Sequence, residues 1–119
     1  MSDVRKFVIQ QHTKADQVHW DLMLQTGEVL HTYRLEVPAK ELSHQANTAV
    51  RISDHPLKFL TYQGSVNQGK GSVEIADTGT YQLLSQSEKC WNLKFDGKII
   101  KGNATLSRVN DNNWQLLFP

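Results

Sequence analysis

Two imidazoles and a carboxylate fall close together near the start of the chain, at His12, His19 and Asp21. His19 and Asp21 are two apart, so in an extended strand both side chains leave the same face. His12 ends the alternating stretch Phe7-Val8-Ile9-Gln10-Gln11-His12, where Val8, Gln10 and His12 share one face and Phe7 and Ile9 the other. If the two strands pair, with residues 13–18 connecting them, the three groups converge. Two histidines and one carboxylate on one side leave positions open for water and substrate, as a catalytic metal centre requires. The same His-x-Asp pattern also suits a solvated face. A second candidate is His55 in Asp54-His55-Pro56, where a histidine at a strand end, held by proline, can point across a barrel mouth. With an ordinary pKa near about 6.5 it could act as acid, base or phosphate partner, or only cap a backbone group.

The segments that must carry these residues read as strands. Trp20, Leu22 and Leu24 form one apolar face, with His19, Asp21, Met23 and Gln25 on the other. Thr26-Gly27-Glu28 turns into Val29–Leu35, giving a hairpin. Residues 38–43 are the best place for a short helix, or simply a polar loop. Thr48–Ser53 alternates and is expected to stop at Asp54-His55-Pro56, because proline cannot donate to a ladder. Residues 63–71, with Gly64, Gly69 and Gly71, read as a long loop. Ser72–Ala76 and Thr80–Ser85 are expected to form a hairpin about Asp77-Thr78-Gly79. Cys90–Phe95 then turns at Asp96-Gly97-Lys98 into Ile99–Val109, and Asn110–Asn113 leads into Trp114–Phe118. About eight short strands with regular turns predict an all-β, mainly antiparallel fold: a single compact β-barrel with at most one short helix.

Composition narrows the function classes. The length of 119 residues suits one domain over 1–119. Thirteen Lys and Arg against twelve Asp and Glu leave +1, which excludes a polybasic, histone-like binder and confines any nucleic-acid contact to a local patch. The single cysteine, Cys90, excludes an internal disulfide and zinc fingers or ribbons that need several thiolates. No apolar run is long enough for a signal peptide or membrane span, so a soluble, cytoplasmic protein without a membrane partner is expected. Trp20, Trp91 and Trp114 lie on apolar faces and read as core. Gly69-Lys70-Gly71 lacks the spacing of a phosphate loop.

In order along the chain, these residues resemble the 3′-phosphoesterase domain of bacterial DNA ligase D and its stand-alone relatives. The resemblance rests on Phe7–His12, His19-Trp20-Asp21-Leu22, Ser53-Asp54-His55-Pro56-Leu57 and the glycine-rich stretch 64–71. It continues through Asp77-Thr78-Gly79-Thr80-Tyr81, Asp96-Gly97-Lys98 with Lys101-Gly102, and Asn113-Trp114. It spans nearly the whole chain, with one residue inserted between His12 and His19.

The resemblance implies a β-barrel with a divalent metal, preferably manganese, in a crescent-shaped opening. It implies removal of a 3′-terminal ribonucleoside and then of the 3′-phosphate at nucleic-acid ends during break repair, with a DNA repair ligase as a possible partner. It places the metal ligands on His12, His19 and Asp21, a phosphate-contacting glutamine on Gln10 and the essential histidine on His55. Two imidazoles and a carboxylate also suit zinc or iron. Four positions depart from the family. Met23 replaces an arginine, Gln25 a glutamate and Phe59 a tyrosine, and Asn47 stands where a further basic residue falls. Arg5, Arg34, Arg51 or Lys40 could supply the missing charge. A metal-retaining binding protein, and a related metallohydrolase with a non-DNA substrate, are the alternatives that these departures leave open.

Overall fold

Period-two alternation runs through most of the chain, and in the computed structural model, which describes residues 3–42 and 45–119, it produces nine antiparallel strands. They are β1 (Val4–Lys14), β2 (Gln17–Thr26), β3 (Val29–Leu35), β4 (Ala46–Pro56), β5 (Gly64–Val66), β6 (Gly71–Gln86), β7 (Cys90–Gly97), β8 (Lys101–Asn110) and β9 (Asn113–Leu117). Their order in the sheet is β1-β2-β3-β4-β9-β8-β7-β6-β5, and β1 also pairs with β6. That last pairing closes eight strands into a barrel and leaves β5 as a short ninth strand on the edge of β6. Closure removes the exposed edges that an open sheet of this length would present. Among the described residues no helix is long and apolar enough to cross a membrane.

Several boundaries differ from the sequence expectation, each for a physical reason. The expected short helix over 38–43 is a single 3-10 turn, Ala39–Glu41, and Ser43 lies outside the described residues. The loop over 13–18 shrinks to Ala15-Asp16, because Ala15 adopts φ 56° and lets Lys14 pair with Gln17. Proline does not end β4 early. Pro56 is the last residue of the strand, and a bulge on β4 between the Thr32–Ile52 and Leu30–His55 pairs carries His55 into the ladder. The stretch expected as a loop over 63–71 contains β5.

The expected hairpin over 72–85 is instead one continuous strand, β6. Asp77, read as a turn residue, is buried, and its carboxylate accepts hydrogen bonds from the backbone N–H of Thr78, Lys98, Ile99 and Ile100 at 2.8–3.1 Å. Gly79 then lies against the Asp96–Gly97 backbone so closely that any side chain would strike it. The pairing with β1 slips by one residue between Asp77 and Ile75, and β6 continues without reversing.

The barrel interior is filled by Phe7, Ile9, Leu22, Leu24, Tyr33, Leu35, Tyr81, Leu93, Phe95, Leu106 and Leu116. By alternation, Val8, Gln10, His12, Asp21, Met23, Thr32 and Arg34 point outward. Val8, Met23 and Leu30 are nevertheless fully buried, because Leu57, Phe59, Leu60 and Ile75 pack over them as a second, smaller apolar cluster. Ile75 comes from β6, and the rest of the cover from the turn after Pro56, which begins as a 3-10 turn at Leu57–Leu60. The candidate site therefore lies on the outer wall of the barrel, beside this cover, and not in a barrel mouth.

Candidate metal centre

Register alone assembles the site. In the β1–β2 hairpin His12 sits directly opposite His19, and Gln10 opposite Asp21. Across the other side of β2, Asp21 faces Arg34 of β3. Directly opposed residues point to the same face with Cβ atoms about 4.5–5.5 Å apart, so these five side chains meet on one patch.

His12 Nδ1 lies 3.0 Å from His19 Nε2, which lies 3.4 Å from Asp21 Oδ2. One ligand atom from each of the three residues falls within 4.8 Å of the others. An ion bound by nitrogen and oxygen at about 2.0–2.2 Å sets neighbouring ligand atoms roughly 3–3.5 Å apart, so the three groups fit a single small divalent cation. His12 is pushed below its ordinary pKa, first by burial and then by the neighbouring His19, which favours the neutral, ligating imidazole.

The pattern of satisfied and unsatisfied polar atoms gives independent support. Among the described residues, four buried side-chain atoms have no hydrogen-bond partner in the protein: Gln10 Oε1, His12 Nε2, Asp21 Oδ1 and Arg34 Nε. All four belong to residues of this patch, with His12 Nε2 on the ring's far side, against Gly71, and Nδ1 the nitrogen that meets His19. Buried polar groups are ordinarily paired, so such a cluster marks a place that an external group completes. Two of the atoms are oxygens suited to a cation or donor, and Arg34 Nε is a donor suited to an anion.

His55 reaches the same face from β4 but stands outside the three-residue cluster. Its Nδ1 lies 2.9 Å from Thr32 Oγ1 and 3.1 Å from the Ser53 carbonyl. A carbonyl only accepts, and the Thr32 hydroxyl already donates to Leu30 O at 3.1 Å, so His55 Nδ1 carries the hydrogen. Nε2 is then the nitrogen free to exchange a proton. The ring also packs edge-on against Phe59 at 5.4 Å between centroids. Thr32 is thus the support for His55, and its place, two residues before Arg34 on the same face, is visible in the sequence only once that face is known.

Gln10, the residue expected to contact phosphate, also holds the covering turn. It is fully buried, and its amide donates to the carbonyls of Phe59 at 2.9 Å and Tyr62 at 3.0 Å. Both hydrogens are committed, so Gln10 fastens the covering turn and offers the site only a carbonyl oxygen. Gly71, read as part of a failed phosphate loop, backs His12 instead. A Cβ there would lie 3.0 Å from His12 Nε2 and 3.2 Å from Thr13 O.

The four departures sort cleanly. Met23 is 1% exposed inside the small apolar cluster, and Phe59 lines the same cluster. Gln25 accepts from the Lys6 N–H at 3.1 Å and so ties β2 to β1. Asn47 is buried and donates to Leu42 O, Gln45 O and Leu116 O, a structural bracket with no role at the patch. Of the substitute cations, Arg5 pairs with Asp3 at 2.9 Å and faces Tyr81 on the interior side. Arg51 lies opposite Tyr33, bonds the Thr32 and Ile52 carbonyls and pairs with Asp54 at 2.5 Å. Lys40 lines a separate hollow with Ile99, Ile100 and Phe118. Arg34 alone stands at the patch.

Residues 10–108 match the DNA Ligase D 3'-phosphoesterase domain family, a span that contains every residue of the cluster. The chain is 35% identical over 123 residues to "Multifunctional non-homologous end joining protein LigD" of Mycolicibacterium smegmatis, covering 92% of this chain and 16% of that protein. It is 29% identical over 115 residues to the protein of the same name from Pseudomonas aeruginosa, covering 88% of this chain and 13% of that one. The chain thus spans about a sixth or less of the length of these curated relatives. On the strength of that match, of a closed antiparallel barrel and of His12, His19 and Asp21 brought together on its wall, the chain belongs to the DNA ligase D 3′-phosphoesterase domain family.

Proposed function

We propose that the chain is a metal-dependent 3′-end phosphoesterase acting on nucleic acid, leaving a 3′-hydroxyl. The observation that carries this reading is the convergence of His12, His19 and Asp21 to within 4.8 Å on a patch whose remaining buried polar atoms are unpaired. A divalent cation bound there, manganese by preference, would offset phosphoryl charge and lower the pKa of a bound water.

The chain's own residues supply the rest. His12 and His19, opposed across two strands, and Asp21 from the same face of β2 set the direction of the ligand lone pairs. Gln10 holds the covering turn and so keeps bulk water from one flank of the site. His55, with its hydrogen on Nδ1, presents Nε2 as the proton-exchanging atom, suited to bonding a phosphoryl oxygen or to protonating a leaving oxygen from its charged form. No side-chain nucleophile is required. Strand recognition rests on phosphate contacts, with little base specificity, and so weakens as salt rises. Because the relatives are far longer than this chain, a ligase acting on the healed end would be a separate region or partner.

A second reading has its own observation. Met23 buried among Val8, Leu30 and Phe59 leaves the family's arginine position without charge, which favours a protein that holds metal and binds 3′ ends with little turnover. One assay separates the two. The protein is incubated with Mn²⁺, or with Zn²⁺, and primers ending in a 3′-phosphate or a 3′-ribonucleotide, beside His12→Ala and His55→Ala. Product formation lost in both variants supports the enzyme. Tight binding of the 3′-phosphate primer without turnover supports the binder, and neither binding nor turnover overturns both.

A further inference from the structure

The geometry points to Arg34 as the phosphate-binding guanidinium of this site, placed on β3 where the family carries an arginine on β2. This assignment rests on the phosphoesterase reading and adds to it the residue that recognises the phosphoryl group. Arg34 is paired in register with Asp21, so both side chains leave the outer wall side by side. Its Nε is buried and unpartnered, yet its side chain is 43% exposed, which puts one donor at the metal-ligand patch and the rest of the fork at the surface. The nearest acidic atom, Asp21 Oδ1, is 4.0 Å away, too far for a hydrogen bond. Asp21 Oδ1 is itself unpartnered. Neither group is locked to the other, and a cation for Asp21 together with an anion for Arg34 would satisfy both.

Chemistry selects the anion. Guanidinium presents planar paired donors that match two oxygens of one phosphate, whereas a halide or a neutral ligand uses only part of the fork. A phosphoryl group whose oxygens bridge from the three-ligand cluster to Arg34 lies along the row formed by Gln10, Asp21 and Arg34. Met23, one step along β2 from Asp21 on the same face, is sealed under Phe59 and Leu57, so a charge supplied from β2 would have no room. The ligand class is therefore a terminal phosphomonoester, or the diester that precedes it, and Arg34 binds its non-bridging oxygens.

The test uses the intact chain and two probes: Mn²⁺ alone, by titration calorimetry, and oligonucleotides ending in 3′-phosphate or 3′-hydroxyl with Mn²⁺ present, by fluorescence anisotropy at fixed salt. Arg34→Gln is expected to weaken 3′-phosphate binding about tenfold to a hundredfold, the range for losing a charged hydrogen-bonding pair. It should leave Mn²⁺ binding intact or tighten it about two- to threefold, because a like charge beside Asp21 is removed. Arg34→Lys should recover part of the phosphate affinity, and Lys40→Gln, away from the patch, should show none of the loss. A residue that merely braces β3 would weaken both probes together. Arg34→Gln binding the 3′-phosphate as tightly as the unaltered protein, or losing Mn²⁺ as well, overturns the assignment. Wild-type protein that takes Mn²⁺ without preferring 3′-phosphate to 3′-hydroxyl overturns Arg34 and leaves the metal centre standing. Wild-type protein that takes no Mn²⁺ overturns both.

Discussion

Met23 and Gly71 show how single positions set what the site can hold. Met23 shares the face of His19 and Asp21, as strand alternation predicts, but its side chain fills an apolar pocket under Leu57, Phe59 and Leu60. Restoring an arginine there would bury an unpaired charge, so Met23→Arg is expected to destabilise the fold by about 2–4 kcal/mol, read by urea denaturation, with no gain in turnover. Gly71 stands against the far side of the His12 ring, at 3.0 Å for an added Cβ. Thr13 O on its other flank is backbone and cannot move aside, so His12 must give. Gly71→Ala should reduce Mn²⁺ affinity about tenfold, the lower end of the range for disturbed metal-site support, while the thermal midpoint moves little. His55 illustrates the same scale: its ring nitrogen roles follow from one carbonyl and one hydroxyl on neighbouring residues.

At the scale of the element, the turn after Pro56 matters most. Its carbonyls at Phe59 and Tyr62 both accept from Gln10, and its apolar residues convert the outer face of β1–β3 from a solvated wall into a half-covered site. Gln10→Leu keeps the bulk but leaves two carbonyls without donors, so about 1–3 kcal/mol of local stability should be lost. Hydrogen exchange at the Thr61 and Tyr62 amides, both bonded to Lys58 O, reports that loosening directly. Unchanged protection there would show that the apolar contacts alone hold the turn. This element also explains what could not be read from the sequence. The partition of His12, His19 and Asp21 onto one face was legible, since period two is a local property. Which face pointed outward was not, because Phe7, Val8, Ile9 and Gln10 are all buried and the wall is covered on both sides. Likewise Asp77-Thr78-Gly79 has the composition of a turn, and only the amides of Lys98, Ile99 and Ile100, some twenty residues on, make Asp77 a buried acceptor inside one strand.

For the whole molecule, closure of the barrel and the balance of charge govern response to conditions. His31, whose ring lies 5.8 Å from that of Trp91, is held below its ordinary pKa, first by burial and then by the charge of Arg51. His12 is shifted in the same direction. Both remain neutral in the folded protein at pH values where the unfolded chain has begun to protonate, so the unfolded state binds more protons. Stability of the metal-free protein should therefore rise as pH increases up to about 6.5 and then level off. Urea midpoints at about pH 5.5 and about pH 7.5 test this, with the lower value expected in acid. His31→Gln should narrow the difference; an unchanged difference would place the proton uptake elsewhere. The barrel itself was legible from alternating segments and turn spacing, whereas its closing β1–β6 pair, between segments some seventy residues apart, is a long-range fact that no local pattern encodes.

Titration of the metal-free protein with Mn²⁺ decides whether His12, His19 and Asp21 form one cation site. Saturable binding of a single ion per chain is expected, weakened at least about a hundredfold in Asp21→Asn while the far-ultraviolet spectrum stays that of the barrel. Saturable binding that is indifferent to Asp21, or no saturable binding at all, would contradict that expectation.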